Sequence, residues 1–259
     1  MANTFVWYDV MTTDVKGAEK FYAAVMGWKM QDSGMPGPGY TLVLNGDVQV
    51  GGIMPVPEED KGMPPMWMGY IGVENVDDYA RKVTQAGGKI WKEPQDIPGI
   101  GRFAVAADPH GAGFILFWGN SDVPPAPVPF MQKGHIGWHE LHAGDREEAF
   151  AFYAKLFGWE KDTAHDMGGG EANGGLVYQT VKTGGGMADV GMMTKMASTP
   201  MPHWAYYLSV GDIDAAAKRV TDNGGKLLMD IMEVPGGAWI APCVDPQGAH
   251  FNLIGMRAA

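Results

Sequence analysis

The sequence predicts an α+β protein made of two tandem copies of one arrangement of strands and helices. Two segments recur: "FYAAVMGWK" from Phe21 returns as "FYAKLFGWE" from Phe152, and "DPHGAGFILF" from Asp108 returns as "DPQGAHFNLI" from Asp245. The first pair lies 131 residues apart and the second pair 137, so we expect a net insertion of six residues in the glycine-rich stretch "HDMGGGEANGG". A repeat of this length indicates a duplicated structure.

Each copy opens with a predicted strand, at 5–13 and at 136–143, followed by a helix. Asp14 and Asp145 are the expected N-caps, and Glu148 stands three residues after Asp145, as in a capping box. In the first of these helices the apolar side chains fall on one face, and Gly27 is expected to end it. That face consists of Val15, Ala18, Phe21, Tyr22 and Val25.

The second half of each copy repeats this plan. In the first copy we expect a strand at 67–73, a helix at 76–86 ended by "GGK", and strands leading into "GRFAVAADPHGAGFILF". The order strand, helix, several strands therefore occurs four times along the chain. The 38 glycines and 18 prolines fit many short elements joined by tight turns.

The copies are separated by "SDVPPAPVPFMQK", whose four prolines favour an extended spacer. We therefore predict a first domain at 1–120, a linker at 121–133 and a second domain at 134–259. The four modules can satisfy one another within one chain, so both a monomer and a homodimer are left open.

Charge and cysteine content restrict the function. The net charge of −11 opposes binding to nucleic acid or to an anionic membrane surface, which favours a small-molecule ligand. Cys243 is the only cysteine, and the chain begins without a basic and apolar leader, so a cytoplasmic location is expected. Buried packing is the expected role of Cys243, and turn formation that of Asp108 and Asp245.

The segments "FYAAVMGW", "AGGKI" and "DPHGAGFILF", with their second copies, resemble the vicinal oxygen chelate superfamily. This group includes glyoxalase I, bleomycin-resistance proteins and extradiol dioxygenases. The resemblance covers nearly all of both copies. It implies two βαβββ modules per copy, whose curled sheet encloses a cleft, and hence two tandem glyoxalase-like domains.

The resemblance also implies where a divalent metal would be held, and this sequence departs from it there. Metal-dependent members carry a His seven residues before the helix-capping Asp, a Glu seven residues after the Asp of "DP", and a further His and Glu on other strands. The matching positions here are Trp7 and Trp138, Ile115 and Asn252, Met68 and Ala205, and the stretches "VGGIM" and "VGMMT". None carries the expected ligand, so we predict a protein without the family's usual metal ligands.

Strand alternation predicts which side chains line the clefts. The last strand of each copy repeats apolar residues at alternate positions, which should pack beneath the helices: Phe114 and Leu116 in the first copy, Phe251 and Leu253 in the second. The residues between them should then face the cleft. The first cleft is then mostly apolar and the second, which also receives His203 and His250, mostly polar. The predicted ligand-binding residues are Trp7, Asp9, Met11, Met68, Tyr70, Trp138, Glu140, Tyr207 and Asn252.

Two functional hypotheses follow. The preferred one is binding of a small, partly aromatic molecule, since aromatic and thioether side chains suit a flat apolar ligand. The alternative is a lyase or dioxygenase of the second domain, with His142, Glu140 and His250 holding Zn, Fe, Ni or Mn. Ordinary core packing remains an alternative for the apolar set. The sequence assigns no catalytic residue.

Overall fold

The computed structural model describes residues 3–35, 37, 39–120, 129–168, 176–184 and 186–257. Most of the predicted linker and most of the glycine-rich stretch of the expected insertion lie outside these residues. Within the described residues, no helix is both long enough and apolar enough to cross a membrane.

The first copy forms one eight-stranded sheet and two helices. The strands are β1 Phe5–Thr12, β2 Lys29–Asp32, β3 Thr41–Asn45, β4 Val48–Pro55, β5 Met66–Gly72, β6 Lys89–Ile97, β7 Gly101–Ala107 and β8 Gly113–Gly119. The helices are α1 Val15–Met26 and α2 Val76–Gln85. The strand order across the sheet is β2-β3-β4-β1-β5-β8-β7-β6.

The second copy forms a nine-stranded sheet with the same plan. Its strands are β9 Ile136–Ala143, β10 Glu160–Asp166, β11 Val177–Lys182, β12 Val190–Thr194, β13 His203–Asp212, β14 Lys226–Leu227, β15 Met232–Glu233, β16 Trp239–Val244 and β17 His250–Met256. Its helices are α3 Arg146–Phe157 and α4 Ile213–Asp222. The order β10-β11-β12-β9-β13-β17-β16-β14, with β15 paired to β16, matches the first sheet and confirms the predicted duplication.

The predicted helix ends are confirmed. The carboxylate of Asp14 accepts a hydrogen bond from the Gly17 N–H, and Gly27 ends α1 in the left-handed conformation with φ 76°. Asp145 caps α3 by accepting from the Glu148 N–H at 2.9 Å. The Glu148 carboxylate itself lies 2.9 Å from Nε2 of His110.

The described end of the predicted linker, residues 129–132, forms a turn. The Gln132 N–H donates to the Pro129 carbonyl at 3.0 Å, and Met131 has φ 59°. Residues 129–132 therefore turn, because one backbone hydrogen bond closes the chain on itself where the proline run ends.

The described residues form two compact units, and these do not follow the two copies. Unit 1 contains residues 3–6, 69–120 and 139–204, and unit 2 contains residues 7–68, 129–138 and 205–257. Each unit therefore has one helix from each copy: α2 and α3 in unit 1, α1 and α4 in unit 2.

In unit 2 the two repeated motifs meet. Phe251 packs edge-on against Phe21 and Tyr22 of α1, with ring centroids 5.9 and 5.6 Å apart. The Tyr22 hydroxyl donates to Asp245 Oδ2 at 3.0 Å and accepts from the Trp67 indole N–H at 2.9 Å. Burial and the Asp245 carboxylate raise the pKa of Tyr22 well above its usual range, so the phenol remains a donor.

Unit 1 is packed in the corresponding way. Phe114 of β8 contacts Phe152, Tyr153 and Phe157 of α3, which confirms that this parity of β8 faces a helix. Asp108 is fully buried and accepts hydrogen bonds from the N–H groups of His110 and Ala112. Burial raises the pKa of Asp108.

The expected structural roles of Asp245 and Cys243 are confirmed as well. Asp245 Oδ1 accepts from three successive backbone N–H groups, those of residues 247–249, so it shapes its turn as Asp108 does. Cys243 is 1% exposed, and burial raises the pKa of its thiol to about 12. A thiol with this pKa is inert at neutral pH.

Candidate functional site

A hydrogen-bonded group of one acid and two aromatic side chains lies in unit 2 around β1, and we name it the Trp7 cluster: Trp7, Asp9 and Tyr40. The Trp7 indole N–H points at Asp9 Oδ1 at 2.9 Å and at the Tyr40 oxygen at 2.8 Å. The Tyr40 hydroxyl donates to the same Asp9 oxygen at 2.6 Å. Asp9 is 2% exposed, whereas Trp7 is half-buried. The cluster therefore fixes the Trp7 ring without burying it completely.

A glycine makes room for this arrangement. The parallel pairing of β1 and β4 places Gly52 beside Asp9, and a Cβ added at Gly52 would overlap the Tyr40 hydroxyl and lie 2.5 Å from Asp9 Oδ1. Burial and the Asp9 charge raise the pKa of Tyr40 well above its usual range. The phenol is therefore held as a neutral donor to a buried carboxylate.

An equivalent group lies in unit 1 around β9, and we name it the His142 cluster: Glu140, His142, Tyr178 and His203. The Tyr178 hydroxyl donates to Glu140 Oε2 at 2.9 Å, and His142 Nε2 lies 2.8 Å from Glu140 Oε1. The His203 ring stacks flat on His142, with ring centroids 4.7 Å apart and an interplanar angle of 7°. Both oxygens of the Glu140 carboxylate are thus engaged.

The two clusters occupy the same place in the two copies. Glu140 pairs with Gly191 of β12 as Asp9 pairs with Gly52, and a Cβ at Gly191 would overlap the Tyr178 hydroxyl. Counting along the strands from these acids, His142 corresponds to Met11, which is half-buried. The acid and the tyrosine are therefore repeated, but only the second copy adds an imidazole.

Sequence reasoning identified Trp7, Asp9, Glu140 and His142 but missed Tyr40 and Tyr178. The tyrosines lie 31 and 38 residues from their acids and meet them only through strand pairing. The available signal was the glycine in "VGGIM" and in "VGMMT", the stretches near which the family resemblance places a Glu.

The other predicted ligand-binding residues lie in different surroundings. In unit 1, Tyr70 packs edge-on against Phe117 with ring centroids 5.8 Å apart. In unit 2, Met68 is 6% exposed, and Asn252 is half-buried on β17, in register with Tyr207 and Pro242.

Trp138 and Tyr207, predicted to line the second cleft, also have apolar neighbours. In unit 2 they belong to an apolar group with Ile254, Ala238 and Met131. The Phe130 ring also packs edge-on against Trp138, with centroids 5.9 Å apart. The turn at residues 129–132 brings Phe130 and Met131 into this group, so the linker end supplies apolar contacts that strand alternation alone does not show.

Within the described part of the chain, no three His, Cys, Asp or Glu side chains are grouped so that they could hold a metal ion. Of the alternative metal set, Glu140 and His142 pair with each other. His250 is exposed at the start of β17, a strand separated from β9 by β13 in the sheet order. The set therefore remains a hypothesis drawn from the sequence.

The fold and motifs agree with the comparison to known families. Residues 4–116 and 134–253 match the model of the Glyoxalase/Bleomycin resistance protein/Dioxygenase superfamily. The chain belongs to this superfamily, and the two matched segments are its two tandem glyoxalase domains.

Relatives of similar length match along nearly the whole chain. The protein CFP32 of Mycobacterium bovis, whose name assigns it provisionally to the glyoxylases, is 34% identical over 254 residues, covering 96% of this chain and 93% of that protein. The anthracycline biosynthesis protein DauV of Streptomyces sp. (strain C5) is 29% identical, covering 98% and 93%. The Mn(II)-bound glyoxalase of Novosphingobium aromaticivorans shares the fold with a TM-score of 0.65 at 15% identity, covering 99% and 83%.

Proposed function

We propose that this protein binds a small, partly aromatic molecule through its sheet-borne aromatic side chains, without the family's usual metal ligands. The observation that carries the proposal is the Trp7 cluster. The Trp7 N–H is held by a buried carboxylate and a phenol, so the ring keeps one orientation while part of it stays exposed. A fixed aromatic surface binds a flat ligand at low entropic cost.

The chemistry at the family's metal positions supports the second part of the proposal. An indole N–H is a donor without a lone pair for a metal, and the Trp7 N–H is already engaged. Near the places where the family resemblance puts a Glu, Gly52 and Gly191 leave space that the Tyr40 and Tyr178 hydroxyls fill. The residues present do not fit the family's metal, so we derive no metal-dependent step.

The name of one relative supports the proposal of an aromatic ligand. DauV is named for anthracycline biosynthesis, and anthracyclines contain flat fused rings. The apolar side chains at Met11 and Met68 would suit the edge of such a ring system, because thioethers adapt to irregular apolar surfaces.

The proposal is tested by calorimetric titration of 2-methoxynaphthalene into the protein and into Trp7→Ala. We expect saturable binding to the parent and a loss of about 1 kcal/mol or more in Trp7→Ala, the scale of an aromatic contact. Trp91→Ala is the matched control, because Trp91 is 54% exposed on β6 and lies outside the cluster. Unchanged affinity in Trp7→Ala would remove this residue from the site.

Elemental analysis of freshly purified protein tests the metal-free part separately. We expect no transition metal near one equivalent per domain. A stoichiometric metal would favour the lyase or dioxygenase alternative.

A further inference from the structure

The His142 cluster contains a hydrogen-bond acceptor without a donor. Nε2 of His142 lies 2.8 Å from Glu140 Oε1, and because a carboxylate only accepts, we assign the ring hydrogen to this nitrogen. In the neutral imidazole Nδ1 is then the acceptor. The tautomer follows from the partner of Nε2.

Nδ1 of His142 is buried and has no hydrogen-bond partner among the described residues. A buried acceptor that lacks a donor destabilises the folded state, so such groups in proteins commonly bind a water molecule or a ligand. The side chain of His142 is 18% exposed, which places the ring near the surface of the unit. Nδ1 itself is buried, so a small-molecule donor reaches this nitrogen by displacing the side chains that cover it.

The orientation of the acceptor is fixed by its neighbours. Tyr178 occupies the second oxygen of Glu140, so the carboxylate is held where it pairs with Nε2. The His203 ring lies flat against the face of His142, while the lone pair of Nδ1 lies in the plane of the ring. A ligand group that reaches this edge meets an acceptor that is already aligned.

We propose that Nδ1 of His142 is the anchor for the hydroxyl group of a phenolic ligand. The site lies within unit 1 and uses the Glu140–His142 pair to present one acceptor to one aromatic O–H. The inference rests on the proposed function for the aromatic character of the ligand and adds the polar group that the ligand must carry. The first copy has Met11 at the corresponding position and cannot offer this acceptor, since a thioether accepts hydrogen bonds weakly.

The test compares two probes that differ in one hydrogen-bond donor. 2-Naphthol and its methyl ether, 2-methoxynaphthalene, are titrated by calorimetry at neutral pH into the parent protein and three variants. We expect the parent to bind 2-naphthol about three- to tenfold more tightly than the ether, the scale of one hydrogen bond in a shielded site.

Two variants remove the acceptor at Nδ1 of His142 and leave the other residues of the cluster in place. His142→Met introduces the residue of the first copy, and His142→Leu introduces an apolar side chain without an acceptor. Both should bind the two probes with equal affinity. Because the two variants alter the cluster differently, failure of one to fold leaves the other to decide.

His110→Met is the matched control. His110 has the same pairing, with Nε2 2.9 Å from Glu148, and its Nδ1 also has no partner among the described residues. His110 lies, however, in the turn after β7 and is not part of the His142 cluster around β9. The preference for 2-naphthol should survive in this variant.

The outcomes distinguish this inference from the proposed function. Equal binding of the two probes to the parent, or a preference that survives in His142→Leu or His142→Met, would overturn the phenol anchor alone. Loss of the preference in His110→Met would overturn the assignment to His142. If neither probe bound the parent, the proposed function would fail and this inference with it.

Discussion

Replacing Tyr40 with Phe should measure how strongly the Trp7 cluster is held together. The substitution removes one hydroxyl, which donates to Asp9 Oδ1 at 2.6 Å. Asp9 is 2% exposed, so water cannot easily supply the lost donor. A hydrogen bond to a charged group contributes about 1.5 to 3 kcal/mol. Asp9 keeps the Trp7 N–H at 2.9 Å, so we expect a loss of about 2 kcal/mol in the free energy of unfolding, near the middle of that range.

Urea unfolding followed by tryptophan fluorescence measures this loss. With an m-value of about 2 to 3 kcal/mol/M, the midpoint should fall by roughly 0.7 to 1 M. Asp9→Asn and the double variant complete a mutant cycle. The two substitutions should be less than additive by about 1 kcal/mol, because Asn removes the charge that strengthens the bond and Phe removes the bond itself. A Tyr40→Phe variant within about 0.5 kcal/mol of the parent, or strict additivity in the cycle, would refute the role assigned to the Tyr40 hydroxyl.

Two further predictions concern pH and the glycines. Stability should fall from about pH 9 upwards, because the folded state raises the pKa of Cys243, Tyr22 and Tyr40, whereas the unfolded chain releases those protons near its ordinary pKa values. Each of these groups should lower the free energy of unfolding by up to about 1.4 kcal/mol per pH unit. Urea unfolding midpoints measured from about pH 8 to about pH 11 test this pH dependence, and constant midpoints would contradict it. In Tyr40→Phe the loss of stability above about pH 10 should be smaller than in the parent. Gly191→Ala should destabilise the protein by about 2 kcal/mol or more, since the new methyl group displaces the Tyr178 hydroxyl from Glu140. Thermal unfolding tests this prediction, with Gly186→Ala as the control because a Cβ at Gly186 meets open space. Equal melting temperatures of the two variants would contradict the prediction.

Local chemistry is the part of the fold that the sequence could predict. Asp14 and Asp145 cap helices because an Asp carboxylate can reach the N–H three residues later, which needs no tertiary information. The alternation around Phe114 is local as well. The repeat itself followed from direct comparison of the segments that begin at Phe21 and Phe152.

Long-range pairing is the part that could not be predicted. Tyr40 stands directly before β3, which pairs with β4, and β4 in turn lies parallel to β1. Tyr40 therefore reaches Asp9 through two strand pairings, whose registers depend on contacts across the sheet. Strand alternation states only which face of a sheet a side chain occupies, so it did not show which other segments pack on Trp138 and Tyr207. The apolar neighbours Met131 and Ala238 come from chain segments outside those strands.

The division into units has a consequence for any shorter form of this chain. In unit 2, Tyr22 of the first copy donates to Asp245 of the second, and Phe21 packs on Phe251. A polypeptide holding one copy would lack half of each unit and could complete it only by exchanging segments with a second polypeptide, as a homodimer does. Joining the copies in one gene makes that exchange intramolecular, so assembly no longer depends on protein concentration.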